Sequence, residues 1–235
     1  MEILKNRQQI VEARKILKKR GLSFIRNQFI SYLIHRFKIR INNIGDFNKS
    51  WDVLNILNFI EKNADKKSKI LDVGCWNSEI ILSLHSAGYE NLYGIDIDPM
   101  VKNMPFSKKI NYKVGNYFNN NYSEESFDII TSISSIEHGY DEKKFFSEYS
   151  RLLKKNGKLI ITFDFWNTKI DTGDIKMFGL TWNIFSENEV NTMIDNVEKK
   201  YNLALIGKKN FLSENRVIKS AGKNYTFAWL CFNKI

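Results

Sequence analysis

A chain of 235 residues, 43% hydrophobic and 26% charged, has the size and composition of one domain with a full core, and its two prolines leave no proline-rich linker to divide it. It has no apolar run of about 18 residues to cross a membrane and no apolar stretch of a secretory leader in "MEILKNRQQIVEARKILKKR", while two cysteines and three scattered histidines offer neither a disulfide framework nor metal-ligand spacing; a reduced, cytoplasmic protein without a metal is expected. The net charge of +10 is concentrated in residues 1–40, which hold eleven Lys/Arg against two Glu, so any attraction to a polyanion should be local.

The first segment reads as two helices. One covers about residues 2–20 and closes at Gly21, a suitable C-terminal cap. The other, about 22–37, carries Leu22, Ile25, Phe29, Leu33 and Phe37 at helical spacing. "NNIGD" breaks the pattern, and "SWDVLNILNFIEKN" then gives an amphipathic helix with Ser50 as N-cap. A boundary is therefore drawn between a basic helical extension, 1–48, and a main domain, 49–235.

In the main domain strand-like and helix-like runs alternate. Strands are expected at 69–74, 91–97, 110–115, 127–134 and 158–165, with helices at 77–87, 142–154 and 186–197. The closing runs "YNLALIGKK" and "YTFAWLCFN" have no helix between them and suggest an antiparallel pair. This is the pattern of an α/β fold, a doubly wound and mostly parallel seven-stranded sheet with an antiparallel C-terminal strand, preceded by N-terminal helices.

Ligands of such sheets sit at the carboxyl ends of the strands. Those ends carry Asp72 and Gly74, then Asp96 and Asp98, Asn116, the segment Ser134 to His138, and finally Asp164 with Trp166. Gly74 lets a ligand approach the backbone, and an acid 22 residues further on, Asp96, is placed to bind two ribose hydroxyls. A dinucleotide would fit that much. Its pyrophosphate, however, needs glycines where this loop has Trp76 and Ser78, so "ILDVGCWNS" suits a nucleoside-like ligand without phosphates.

Residues 68–165 resemble the class I, Rossmann-like S-adenosylmethionine-dependent methyltransferases. "ILDVGCWNS" matches their glycine loop and "YGIDIDP" their second-strand acid. "GNYFNNNYSEESFDIITSISSIEH" and "FFSEYSRLLKKNGKLIITFDF" match the third to fifth strands with their connections. The resemblance implies S-adenosyl-L-methionine as methyl donor, leaving as S-adenosyl-L-homocysteine. It places Asp72 and Gly74 along the methionine part, Asp96 on the ribose, Ile97 on adenine and Asn116 at the adenine amino group; Trp76, where the loop departs from the family, and Ser134 are further expected cofactor contacts. It also puts His138 beside the transferred methyl, as base or loop-ordering residue, with Glu137 to orient it or the substrate.

The segment after the fifth strand, "WNTKIDTGDIKMFGLTWNIFS", has no clear period and reads as a lid or binding loop. Trp166, Asp171 and Trp182 are its expected substrate contacts, with the alternative that an aromatic side chain merely pins the loop to the core. A softer resemblance, to methyltransferases of bacterial surface-polysaccharide synthesis, implies a small-molecule or glycan-precursor acceptor. Its methylated oxygen would belong to a sugar hydroxyl or a phosphate-type group. For the basic N-terminus the readings are a plain solvated face, a homodimer contact, docking at the inner face of the membrane, and, less favoured, nucleic acid. A catalytically inactive partner protein on the same fold, or a nucleic-acid methyltransferase, is the alternative to a small-molecule enzyme.

Overall fold

The computed structural model describes residues 2–25, 44–209 and 211–235. A long mixed sheet forms its middle layer. Five parallel strands make the centre: β2 (Lys69–Val73), β3 (Asn91–Asp96), β4 (Asn111–Val114), β5 (Phe127–Ile133) and β6 (Leu153–Trp166). They stand in the order β6-β5-β2-β3-β4. The long C-terminal strand β12 (Lys223–Lys234) runs antiparallel along β6 from Thr226↔Phe165 to Asn233↔Lys158. A short N-terminal strand, β1 (Glu2–Ile3), pairs with the far side of β12. Three small strands attach at the margins: β9 (Phe185–Ser186) to β6, and β10 (Leu203–Leu205) and β11 (Ile218–Ser220) to β12. Among the described residues the sheet thus has ten strands. The expected doubly wound sheet is present, and so is the antiparallel pairing of the two closing runs, as β10 with β12; β1, β9 and β11 were not expected from the sequence.

Side-chain alternation assigns the two faces of the sheet. Ile70, Ile129 and Ile160 point to one core, together with α1 (Arg7–Lys19), α2 (Ser50–Asn63) and α3 (Ile80–Ser86). Leu71, Ile130 and Ile161 point to the other, with α4 (Glu142–Leu152) and α5 (Glu187–Lys200). Strands covered on both faces read as nearly continuous apolar runs, which is why "LIITF" and "DIITSI" show no polar alternation.

The first helix ends as expected at Gly21. Its φ is +69°, its N–H donates to the Lys18 carbonyl, and Leu22 N–H donates to Leu17, two bonds that close a Schellman motif. Ser50 departs from its expected capping role. Lys49 takes the N-cap position, and the Ser50 hydroxyl instead donates to the Phe47 carbonyl while accepting from Arg14 Nε. The expected helix at 22–37 falls mostly outside the described residues; Leu22 to Ile25 are not helical.

The boundary at 48/49 is no break in the packing. Ile3 pairs with Ala228, Leu4 N–H donates to Phe227, and Ile10 and Leu17 are fully buried in the core shared with α2.

Candidate active site

Gly74 turns the chain out of β2 at φ +74°, and any Cβ there would collide with the Ser135 hydroxyl. Cys75 is buried against Gly94, so its side chain packs and burial pushes its thiol up. Trp76 N–H donates to Asp96 Oδ2 at 2.9 Å, and Asp98 N–H donates to Oδ1 at 2.8 Å. The carboxylate at the end of β3 is thus fixed from both sides, with lone pairs still open to a ligand; its pKa is raised by burial against those two bonds. Asn77 at φ 58° and the turn at Ser78 delay α3 to Ile80, three residues after the expected start.

These residues line one wall of a cavity of about 620 Å³ at the carboxyl edge of the sheet. Ile97, 55% exposed, and Pro99 continue that wall, and Tyr117 faces it from the turn after β4. At the other end stand Lys49 and Val53 from the start of α2, Ser134 and His138 from the loop after β5, and Phe178 and Leu180. The last two come from a hairpin, β7 (Lys176–Met177) and β8 (Leu180–Thr181), whose tip is Phe178-Gly179. The bridge His138↔Trp182 joins this hairpin to the β5 loop.

Lys49 organises the inner end. Its ammonium contacts the Ser134 hydroxyl, lies 3.1 Å from the Phe227 ring centroid, and is 3.7 Å from Asp52 Oδ2 and 3.9 Å from Asp164 Oδ1. Ser134 is held in the left-handed region at φ 47°, a strained backbone for a non-glycine residue. Asp52 and Glu137 are buried, and none of their four carboxyl oxygens has a hydrogen-bond partner. Burial pushes Asp52 up to about 7 and Glu137 well above the carboxylate range; for both, the Lys49 ammonium pulls the other way. Burial also raises Asp164, which accepts from Trp182 Nε1 at 2.8 Å. His138 is held down at about 4 by burial and by the Lys49 charge, and its Nδ1 has no partner. It is therefore a neutral imidazole near pH 7.

Of the residues expected from sequence, the cavity collects Gly74, Trp76, Asp96, Ile97, Ser134 and His138. The side chains of the others lie elsewhere. Asp72 pairs across the sheet with Thr131, whose hydroxyl donates to its Oδ1 at 2.7 Å, so its carboxyl stays inside the sheet layer. Asn116 spends its side-chain oxygen on Phe118 N–H, and Tyr117 takes the wall position. Glu137 turns into the interior. Trp182 pins the loop to β6 through Asp164, Trp166 lies under Arg216, and Asp171 caps Gly173 N–H. The hairpin's contribution comes from Phe178 and Leu180 instead.

Residues 71–161 match the family described as "Methyltransferase domain". A probable chloroplastic tocopherol O-methyltransferase of Oryza sativa subsp. japonica is 27% identical over 114 residues, covering 43% of this chain and 31% of that protein. The norajmaline N-methyltransferase of Rauvolfia serpentina is 24% identical over 118 residues, 47% of this chain and 40% of the other. The chain therefore spans well under half the length of these curated relatives. Among solved structures, an S-adenosylmethionine-dependent methyltransferase from Methanosarcina mazei superposes with a TM-score of 0.55 at 17% identity, covering 75% of this chain and 97% of that one, a likeness of fold. From β2 into β6, therefore, the chain is similar to a methyltransferase domain, and its fold is that of the Rossmann-like structures it superposes on.

Proposed function

We propose that this protein transfers the methyl group of S-adenosylmethionine to a hydroxyl or amine of a small-molecule acceptor. The observation that carries this reading is the Asp96 carboxylate, open to the cavity and braced by Trp76 and Asp98 backbone N–H groups. The rest of that wall suits the same ligand. Ile97 offers an exposed apolar face for a purine, Trp76 Nε1 and Asn77 Oδ1 are buried at the wall without partners, and among the described residues no group of cations awaits a pyrophosphate there.

When bound, S-adenosylmethionine supplies an electrophilic methyl on a sulfonium. The chain's part is to align the acceptor and to take its proton, and alignment alone can lower a barrier by about 7 kcal/mol in favourable cases. His138 is the group placed to take the proton. An imidazole held near 4 is a weak base before reaction, which suits a proton released late, once the new bond has made the oxygen or nitrogen acidic. Ser134, fixed by Lys49, borders the same space.

The narrower expectation of a sugar hydroxyl on a surface-polysaccharide precursor rests on sequence resemblance. The loop residues it relied on, Trp166, Asp171 and Trp182, do not reach the cavity.

Calorimetric titration with S-adenosylmethionine tests the reading. The intact chain should bind it, and Asp96→Ala should bind at least about tenfold more weakly, as expected for losing hydrogen bonds to a charged group. No binding by the intact chain sinks the methyl-transfer reading, and unchanged affinity in the variant sinks the ribose assignment.

A further inference from the structure

Resting on the methyl-transfer reading, we propose that the acceptor end of the cavity takes a flat apolar molecule presenting a neutral hydroxyl or an amine, and turns away acceptors bearing carboxylate or phosphate. The sign of the wall is the first argument. The chain carries a net charge of +10, yet among the described residues one cation, Lys49, lines the cavity, against Asp46, Asp96 and Asp98. A fourth lining acid, Glu79, is neutralised by Arg14.

Lys49 is also matched from within. Its ammonium faces the Ser134 hydroxyl, the Phe227 ring and the carboxyl groups of Asp52 and Asp164. An arriving anion would compete with groups already closer and better buried. A grip on phosphate or carboxylate generally uses paired donors, an Arg fork or two cations, and no described residue of the wall supplies a second.

Shape gives the second argument. Phe178, 75% exposed, and Leu180 stand at the hairpin tip, Val53 lines the same cavity, and the His138 ring lies 5.2 Å from that of Phe178. Isolated exposed apolar residues mean little, but here several line one concavity, which is the pattern of a binding face. An aromatic ring lying against Phe178 would bring a short polar arm within reach of His138, whose ring is 5.2 Å away.

Three indoles that differ only in their short arm make the test: tryptophol with a hydroxyl, tryptamine with an ammonium, and indole-3-acetate with a carboxylate. Each is titrated calorimetrically into the full chain, with and without saturating S-adenosylhomocysteine. Tryptophol or tryptamine should bind at least about tenfold more tightly than indole-3-acetate, and Phe178→Ser should weaken the better of them about tenfold while leaving S-adenosylhomocysteine affinity unchanged. Equal or tighter binding of indole-3-acetate overturns the proposal. So does failure of all three to bind, since a slot for flat apolar molecules would hold an indole. The titration of the intact chain with S-adenosylmethionine reports on the methyl-transfer reading separately. Its failure removes that reading, whereas its success with the wrong indole order removes the acceptor class alone.

Discussion

Asp52 lies on the first turn of α2, fully buried, with Lys49, Asp164 and Asp46 as the charges that face it. Its carboxyl holds a proton up to about pH 7 in the folded chain, against 3.8 for the ordinary group. Between those values the folded state binds more protons than the unfolded one, so this residue makes stability fall as pH rises from about 4 to 7. Asp52→Asn should therefore differ little from the parent near pH 4 and gain on it steadily as pH rises. The gain should reach a few kcal/mol at pH 8, since each tenfold difference in proton affinity is worth about 1.36 kcal/mol. Urea unfolding at pH 5 and pH 8 measures this; a constant difference between the two proteins would refute it. Neither Asp52 nor Lys49 could be picked out from sequence as part of the site. Charges at the start of an amphipathic helix ordinarily read as a solvated face, and their partners lie on β6 and in the β5 loop, more than 80 residues away. Asp96 was legible because a strand end fixes where an acid points. Asp72, also on a strand, is not among the cavity-lining residues, for a reason that sequence does not show: its neighbour across the sheet is Thr131, whose hydroxyl donates to its carboxyl.

At the scale of elements, the cofactor loop leans on the N-terminal helix. Arg14 of α1 forms a bidentate pair with Glu79, both bonds at 2.7 Å and both side chains almost fully buried. Glu79 Oε1 also accepts from Phe24 and Ile25 N–H, and Gly45 N–H donates to the Asn77 carbonyl. Residues 76–79 of the loop are thus held by chain on either side of the undescribed segment. Arg14→Leu leaves a buried carboxylate unpaired and should cost about 3–5 kcal/mol, read as a lowered urea midpoint. Adding Glu79→Leu should recover part of that loss and no more, because Phe24 and Ile25 N–H would then lack their acceptor. Simple addition of the two single effects would show that the pair is not coupled. A charge count over residues 1–40 treats Arg14 as one more surface cation; the helical pattern located the C-terminal end of α1 but ran its start back through β1, and carried no information about which of its charges was internal.

On the scale of the whole molecule, the N-terminus closes both ends of the architecture at once. β1 caps the edge of β12, the Thr226 hydroxyl donates to the Leu4 carbonyl, α1 packs on α2, and Arg14 reaches the loop that lines the cavity. The alternation of strands and helices made the parallel centre of the sheet readable, since each crossover repeats a local pattern. Two residues of β1 have no period to read, and a pairing between residue 2 and residue 229 has no local signal, so the same reading drew a basic helical extension and did not foresee its edge strand or its brace on the loop. If the basic segment were a detachable tether for a membrane, a second copy or a polyanion, deleting residues 2–25 would leave a domain that melts cooperatively and binds S-adenosylhomocysteine as before. The packing requires the opposite. The deletion strips apolar cover from α2, takes from Ala228 and Trp229 of β12 their partners in β1, and orphans Glu79, and each of these falls on the core or on the loop lining the cavity. Loss of cooperative melting by circular dichroism, with loss of S-adenosylhomocysteine binding, is the expected result. A cooperative melt with unchanged affinity would return the N-terminus to the status of an appendage.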